Sequence, residues 1–336
     1  MDGGKVNSSV ASTKRVEWID ILKGICAILV ILIHTQKPEI YAFLFRPFFL
    51  MCFFFASGYT SKIKKPFFVK SFVETLAIVT IVLLVKIIHF AIASHKFIGF
   101  NVILGAYYQN QAVRAEYPVL IWFIPCIFLA KSFFQIVLRI SKEKVIFAFI
   151  LSSICTFIGL LYCKFINICL PWHIEIAFLV QIFFWFGFAF KKYESKFEKV
   201  NTLLCAVLAF VYFIFISINK FSADLNLLAV SDWSSYMIAA VLGTFMMVSL
   251  CKKINQNKVL SFIGKNSLFF FAFQDYFIIF FNKYLAVRNS AAESKMLISL
   301  LVTILSSVCL CCLIVMRDYI YNFINKKFNR NFKPII

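Results

Sequence analysis

Three ionisable residues stand inside a stretch apolar enough to enter a membrane, Trp18-Ile-Asp20-Ile-Leu-Lys23-Gly24-Ile-Cys26-Ala27-Ile-Leu-Val-Ile-Leu-Ile-His34. Lysine supplies a fixed cation for an anionic group. Histidine supplies an imidazole that moves a proton or attacks as a nucleophile near neutral pH. On a helix of about 100° per residue, the eleven positions from Lys23 to His34 make three turns plus about 20°, so both side chains leave one face. At about 1.5 Å per residue they stand roughly 16 Å apart along the axis. Ionisable groups at membrane depth are costly and face a bundle interior or a wet cavity. A plainer reading stays open, in which Lys23 snorkels to nearby headgroups and His34 marks the far interface.

The elements that must position this pair are membrane helices. The chain has 336 residues, 62% of them hydrophobic and only 15% charged, with 44 phenylalanines. That composition belongs to a polytopic membrane protein and not to a soluble domain. At about 20 apolar residues per span, the expected spans are 19–36, 41–60, 70–94, 119–139, 144–163, 173–190, 201–219, 234–251, 267–286 and 296–316. The expected fold is all-α, a transmembrane bundle of about ten spans forming one domain over residues 1–336, with short tails at 1–17 and 317–336. The first apolar run lacks a cleavage site and reads as a retained helix.

The net charge of +20 raises nucleic acid as a partner, but the cations sit in short segments between apolar runs, which excludes that class. Alternate loops hold 23 lysines and arginines on one side and 9 on the other. The positive-inside rule then places both termini in the cytoplasm. Lys23 falls near the cytoplasmic face, and His34, His89, His95 and His173 fall in the outer half. The expected location is the cell (inner) membrane, as a multi-pass protein.

Further candidates follow in chain order. Ser57-Gly58 ends the second span beside Lys62, Lys64 and Lys65, a place where backbone N–H groups and cations suit an anion; Gly58 as a simple helix end is the competing reading. The loop 95–118 interleaves Tyr107, Tyr108 and Tyr117 with amides and Arg114. That mix suits a hydroxyl-rich ligand and equally an interfacial anchor. Pro125, just after Trp122, is expected to bend the fourth span. His173 and Glu175 stand where they could line an acceptor entrance or simply be solvated boundary residues. Asp275 is placed deep enough to need a cation, with Lys86 and Lys131 as candidates. The 11 cysteines lie almost all within apolar runs, without a CxxC and flanking histidine, so no metal site is expected.

Taken in order, Asp20-Ile-Leu-Lys23-Gly24 with His34, Phe53-Phe-Phe-Ala-Ser57-Gly58-Tyr59, Leu120-Ile-Trp122-Phe123-Ile-Pro125, Phe183-Phe184-Trp-Phe-Gly187 with Lys191-Lys192, and Gly264-Lys-Asn-Ser267-Leu268 form a familiar set. The chain resembles the acyltransferase-3 family of integral membrane O-acyltransferases, most closely its fucose 4-O-acetylase-like branch. It departs from many relatives in having Lys23 for an arginine and Phe49 and Gln274 for histidines. The resemblance implies acetyl-CoA as acyl donor from the cytoplasm and a hydroxyl of an extracytoplasmic glycan or sugar as acceptor. On that reading His34 and Lys23 are catalytic, and Lys23, Ser57 and Gly58 bind the donor. Trp122, His173 and Glu175 bind the acceptor. Two alternatives remain: a multi-span transporter or flippase of a glycan precursor, and a catalytically silent relative.

Overall fold

A computed structural model describes residues 15–35, 39–63, 68–94, 122–197, 202–254, 256–285 and 292–328. The loop 95–118 with its tyrosines and amides, His95 and the side chains of Lys86 and His89 lie outside the described residues. The described residues are all-α apart from one small hairpin. Its helices are α1 (Glu17–His34), α2 (Glu39–Phe45), α3 (Phe49–Tyr59), α4 (Phe68–Ser94), α5 (Phe123–Ser141), α6 (Val145–Phe165), α7 (Ile174–Leu179), α8 (Gln181–Lys192), α9 (Thr202–Ile218), α10 (Trp233–Ile254), α11 (Lys258–Lys265), α12 (Ser267–Leu285) and α13 (Ala292–Phe328). Strands β1 (Ala223–Asp224) and β2 (Ala229–Val230) pair antiparallel between α9 and α10.

Over their described residues all ten apolar runs are helical, but two of them are broken. Among the described residues five helices are long and apolar enough to cross a membrane, α2 and α3 counting together as Glu39–Tyr59, or six if the bent pair Pro171–Leu179 and Gln181–Lys192 counts as one span. The run 41–60 breaks at Arg46-Pro47-Phe48 between α2 and α3. Proline has no N–H to continue the ladder, so the backbone opens there and presents Arg46 inward. The run 173–190 bends by 53° at Val180. Pro125, expected to bend its helix, does not. The helix begins at Phe123, so Pro125 sits in the first turn, where no backbone donor is required. α13 continues past the expected tail boundary through Phe328, 37 residues in all, or roughly 55 Å at 1.5 Å per residue.

Caps and breaks fit the sequence. The Asp232 carboxylate accepts from the backbone N–H groups of Ser234 and Ser235 and from the Ser235 hydroxyl at the start of α10. The Ser235 hydroxyl first, then those N–H groups, hold its carboxyl below the usual carboxylate range. Asn257 caps α11 by accepting from the Leu260 N–H at 2.9 Å. The apolar faces sort between centre and rim. In its most apolar window α5 is 61% buried, whereas α6 is only 17% buried and turns Ile146, Phe157 and Phe165 outward. Such a face needs lipid as its solvent.

Two crossings fix the interior. α1 lies against α11 where Gly24 faces the Leu260 carbonyl and Gly264 faces the Asp20 carbonyl; a Cβ on either glycine would overlap that oxygen. α3 lies against α8 in the same way, with Gly58 on the Phe184 carbonyl and Gly187 on the Phe55 carbonyl. Small residues let helix backbones approach this closely. The crossing predicts that Gly264→Ala forces α11 off α1. Overpacking of this kind costs roughly 1–3 kcal/mol, read as a lowered melting temperature of the purified protein in detergent. Leu203→Ala, on the outward face of α9 at 67% exposed, should leave the melting temperature within error.

Candidate active site

His34 ends α1 at a cavity of about 70 Å³. Its wall combines Arg46 from the α2–α3 break, Phe49 and Leu50 of α3, Trp122 and Phe123 at the start of α5, Asp224 to Asn226 of the hairpin, Tyr236 of α10, and Phe271 and Gln274 of α12. Six separate segments therefore converge on the imidazole. Two of the three positions expected to depart from relatives, Phe49 and Gln274, line this cavity.

The polar groups in it fall into two kinds. Arg46 and Asp224 hold each other: Arg46 Nη1 lies 3.6 Å from an Asp224 oxygen and donates to the Ala223 carbonyl at 3.3 Å. The pair ties the α2–α3 break to the hairpin that walls the cavity. Gln274 and Tyr236 are different. Both are buried, at 1% and 0% exposed. Neither the Gln274 amide, at Nε2 or Oε1, nor the Tyr236 hydroxyl has a hydrogen-bond partner among the described residues. An unmet buried polar group is expensive and rare. Both residues also line the cavity that holds His34.

A larger outward cleft of about 770 Å³ adjoins this cavity and shares Arg46 and Ala223 with it. Glu39, Lys220 and Ser222 line the cleft. It has room for a ligand much larger than the His34 cavity alone admits.

Lys23 is placed at the other end of α1 and does not line the His34 cavity. Its Nζ lies 2.9 Å from Asp20. Arg15 grips the same carboxylate, with Nε at 2.5 Å and Nη2 at 3.1 Å. Nearby, Glu194 accepts from Trp18 Nε1 at 3.2 Å, from Lys252 Nζ at 3.2 Å and from the Tyr59 hydroxyl. Lys252 Nζ also lies 5.7 Å from the Trp18 ring and 5.2 Å from the Phe190 ring, and Lys191 Nζ lies 5.4 Å from the Tyr59 ring. This end is thus basic and aromatic, and it is rigidly tied. Ser57 is half-buried on α3 beside it, and Gly58 is occupied by the contact with α8.

The expected acceptor residues separate. Trp122 lines the His34 cavity. His173 and Glu175 do not. Both side chains are fully buried, because the turn Pro171–His173 directs them inward. His173 lies behind Trp122, ring to ring at 4.9 Å, and its Nδ1 lies 2.8 Å from Glu175 Oε1. Glu175 Oε2 accepts from the Leu170 N–H at 3.2 Å. Cys169 joins them, and its thiol, the His173 ring and the Glu175 carboxylate each place one ligand atom within 4.8 Å of the others. Asp275 is buried on α12. The sequence reading missed Tyr236, Arg46 and Asp224. Pro47 next to Arg46 was the available signal for one of them, since a proline in an apolar run implies an opened backbone.

The acyltransferase-domain model of the acyltransferase-3 family matches residues 16–316. The match covers most of the 336 residues, and the chain belongs to that family. No curated protein and no solved structure matches it. Membership supports a membrane acyltransferase in general terms.

The unmet groups predict an unusual stability pattern. Tyr236→Phe and Gln274→Met remove polar atoms that have no partner, so the melting temperature of the purified protein should stay the same or rise. Gln181→Met is the contrast. Its Oε1 is also unmet among the described residues, but its Nε2 donates to the Ala130 and Ala177 carbonyls at 3.0 and 2.7 Å, so its loss should destabilise by about 1 kcal/mol or more. A clear fall in melting temperature for Tyr236→Phe would show that its hydroxyl is already satisfied.

Proposed function

We propose that this protein is a membrane O-acyltransferase of the fucose 4-O-acetylase-like branch. It moves an acetyl group from cytoplasmic acetyl-CoA to a hydroxyl of an extracytoplasmic glycan, with His34 as base or acyl acceptor. The observation that carries this reading is the pairing of His34 with the unmet Gln274 amide and Tyr236 hydroxyl around one cavity.

In this reading the chain crosses the inner membrane ten times with both termini in the cytoplasm, following the cation bias of its loops. The basic end of α1 then faces the cytoplasm. Lys23, with Ser57 close by, holds the anionic part of the donor, while Gly58 keeps α8 close enough to frame it. The acceptor enters from the outer cleft past Arg46, and Trp122 packs against its ring. Its hydroxyl oxygen bonds to the acyl carbon as the carbon–sulfur bond breaks. The hydroxyl proton passes to the His34 imidazole and then to the departing thiolate. If the imidazole first takes the acyl group, the same two bonds exchange in two steps. The Tyr236 O–H and the Gln274 N–H are donors for the oxyanion that forms between them. Gln274 hydrogen-bonds without exchanging a proton near neutral pH, which leaves the acid–base work to His34.

The test is mass analysis of surface glycan in a null strain complemented with variants. His34→Ala should abolish the acyl mass increment, and normal acylation in that strain refutes the role of His34. Acetyl-CoA should raise the melting temperature of the purified protein, because a ligand that binds only the native state stabilises it. Lys23→Ala should weaken that protection while the protein still inserts. No protection in the wild-type protein would favour a transporter or a silent relative.

A further inference from the structure

Behind Trp122 lies a second group of reactive side chains that the proposed chemistry leaves unused. Cys169, His173 and Glu175 come from one short segment, yet their ligand atoms all lie within 4.8 Å of one another. We infer that these three residues form a zinc-type metal site, with Cys169 Sγ, a His173 ring nitrogen and a Glu175 carboxylate oxygen as protein ligands and one position left for water.

The donor set fits zinc. Thiolate, imidazole and carboxylate are its usual partners, at about 2.3 Å for sulfur and 2.0–2.2 Å for nitrogen and oxygen. Those bond lengths put tetrahedral ligand atoms roughly 3.3–3.6 Å apart. The His173 Nδ1 to Glu175 Oε1 distance is 2.8 Å, so that pair opens by about half an ångström to admit an ion at these bond lengths. The thiol closes on it by about one ångström from the outer limit of the group.

Charge fits as well. A thiolate, a carboxylate and a neutral imidazole balance a divalent cation. The His173 and Glu175 side chains are both fully buried, and a neutral complex is what such a site tolerates. The supporting shell is present. Glu175 Oε2 already accepts from the Leu170 N–H, which fixes the carboxylate plane, and such outer hydrogen bonds orient metal ligands. Cys169 is half-buried, so the ion has a way in from its side. The Cys169 thiol now donates to the Asn226 carbonyl at 3.9 Å; metal binding would release that proton.

The backbone is held for the purpose. Trp172 and His173 both adopt left-handed φ, 57° and 53°, a conformation that non-glycine residues keep only where their surroundings demand it. The ion would brace two walls of the His34 cavity. His173 packs on Trp122, and Cys169 touches the hairpin through Asn226. It is not placed to touch the reacting atoms, so its role is positioning.

The experiment uses the full-length protein in detergent, stripped with EDTA and then given Zn²⁺ or Co²⁺ alone. One equivalent of zinc per chain by mass spectrometry of the metal is expected. Cobalt should give a thiolate charge-transfer band together with tetrahedral visible bands. Cys169→Ser should lose the charge-transfer band and most of the bound metal, while Cys205→Ser, on α9, keeps both. No stoichiometric zinc or cobalt in the wild-type protein overturns the site, a result that needs no variant to fold. A Cys169→Ser protein that still binds one equivalent with the same band overturns it too. Neither readout depends on acyl transfer.

Discussion

The close approach of two helix pairs governs this molecule. α1 meets α11 through Gly24 and Gly264, and α3 meets α8 through Gly58 and Gly187. Helices surrounded by lipid gain no hydrophobic drive to associate, so backbone proximity and dispersion contacts must do it. Both crossings occur near the Lys23 end of α1, where Trp18, Tyr59, Phe190, Lys252 and Glu194 lock the same helices together. The end of α1 that carries Lys23 is therefore rigid. Its other end carries His34 into a cavity walled by the α2–α3 break, a hairpin and four helix segments.

That division separates packing from chemistry. The rigid end has its charged groups held by named partners, although the Ser261 hydroxyl of α11 is buried without one among the described residues. The His34 end keeps Gln274 and Tyr236 buried with donors and an acceptor unmet. Stability is lost there for nothing unless a ligand completes the bonds, since each unmet group carries its desolvation cost. A site that is incomplete in the resting fold is preorganised for what binds to it.

Much of this was legible in the chain. Hydropathy located the long apolar helices, because lipid demands long apolar segments whatever their neighbours do, but not α11 (Lys258–Lys265), which falls between two expected spans. The periodicity of α1 separated Lys23 from His34 by the right number of turns. The glycines of the ordered motifs were also visible, but their meaning was not. Gly24 and Gly264 lie 240 positions apart in sequence, and no local pattern says that one faces the carbonyl beside the other. The breaks in two runs were missed for a similar reason. Hydropathy averages over a Pro47 or a bend at Val180, although the first break makes Arg46 part of the cavity, and it does not register the turn Pro171–His173 that takes His173 and Glu175 away from it. Tyr236 was illegible altogether, since a tyrosine in an apolar helix looks the same whether or not its hydroxyl is met.

The Asp20 cluster shows how a cation survives at the rigid end. Asp20 is 2% exposed and accepts from both Arg15 and Lys23. One carboxylate against two cations leaves a surplus of one positive charge. A fully neutralised cluster would be cheaper to bury but would offer nothing to an anion. A bare Lys23 would offer its charge and bear the whole desolvation cost. Sharing Asp20 lowers that cost and keeps the field positive. Lys23 remains about a quarter exposed, at 24% of its side chain, so an anionic group that reaches α1 meets a cation already held in place. The arrangement also suits a lysine at position 23. Arg15 already supplies a forked grip on the carboxylate through Nε and Nη2, and the second partner needs to supply only a point charge.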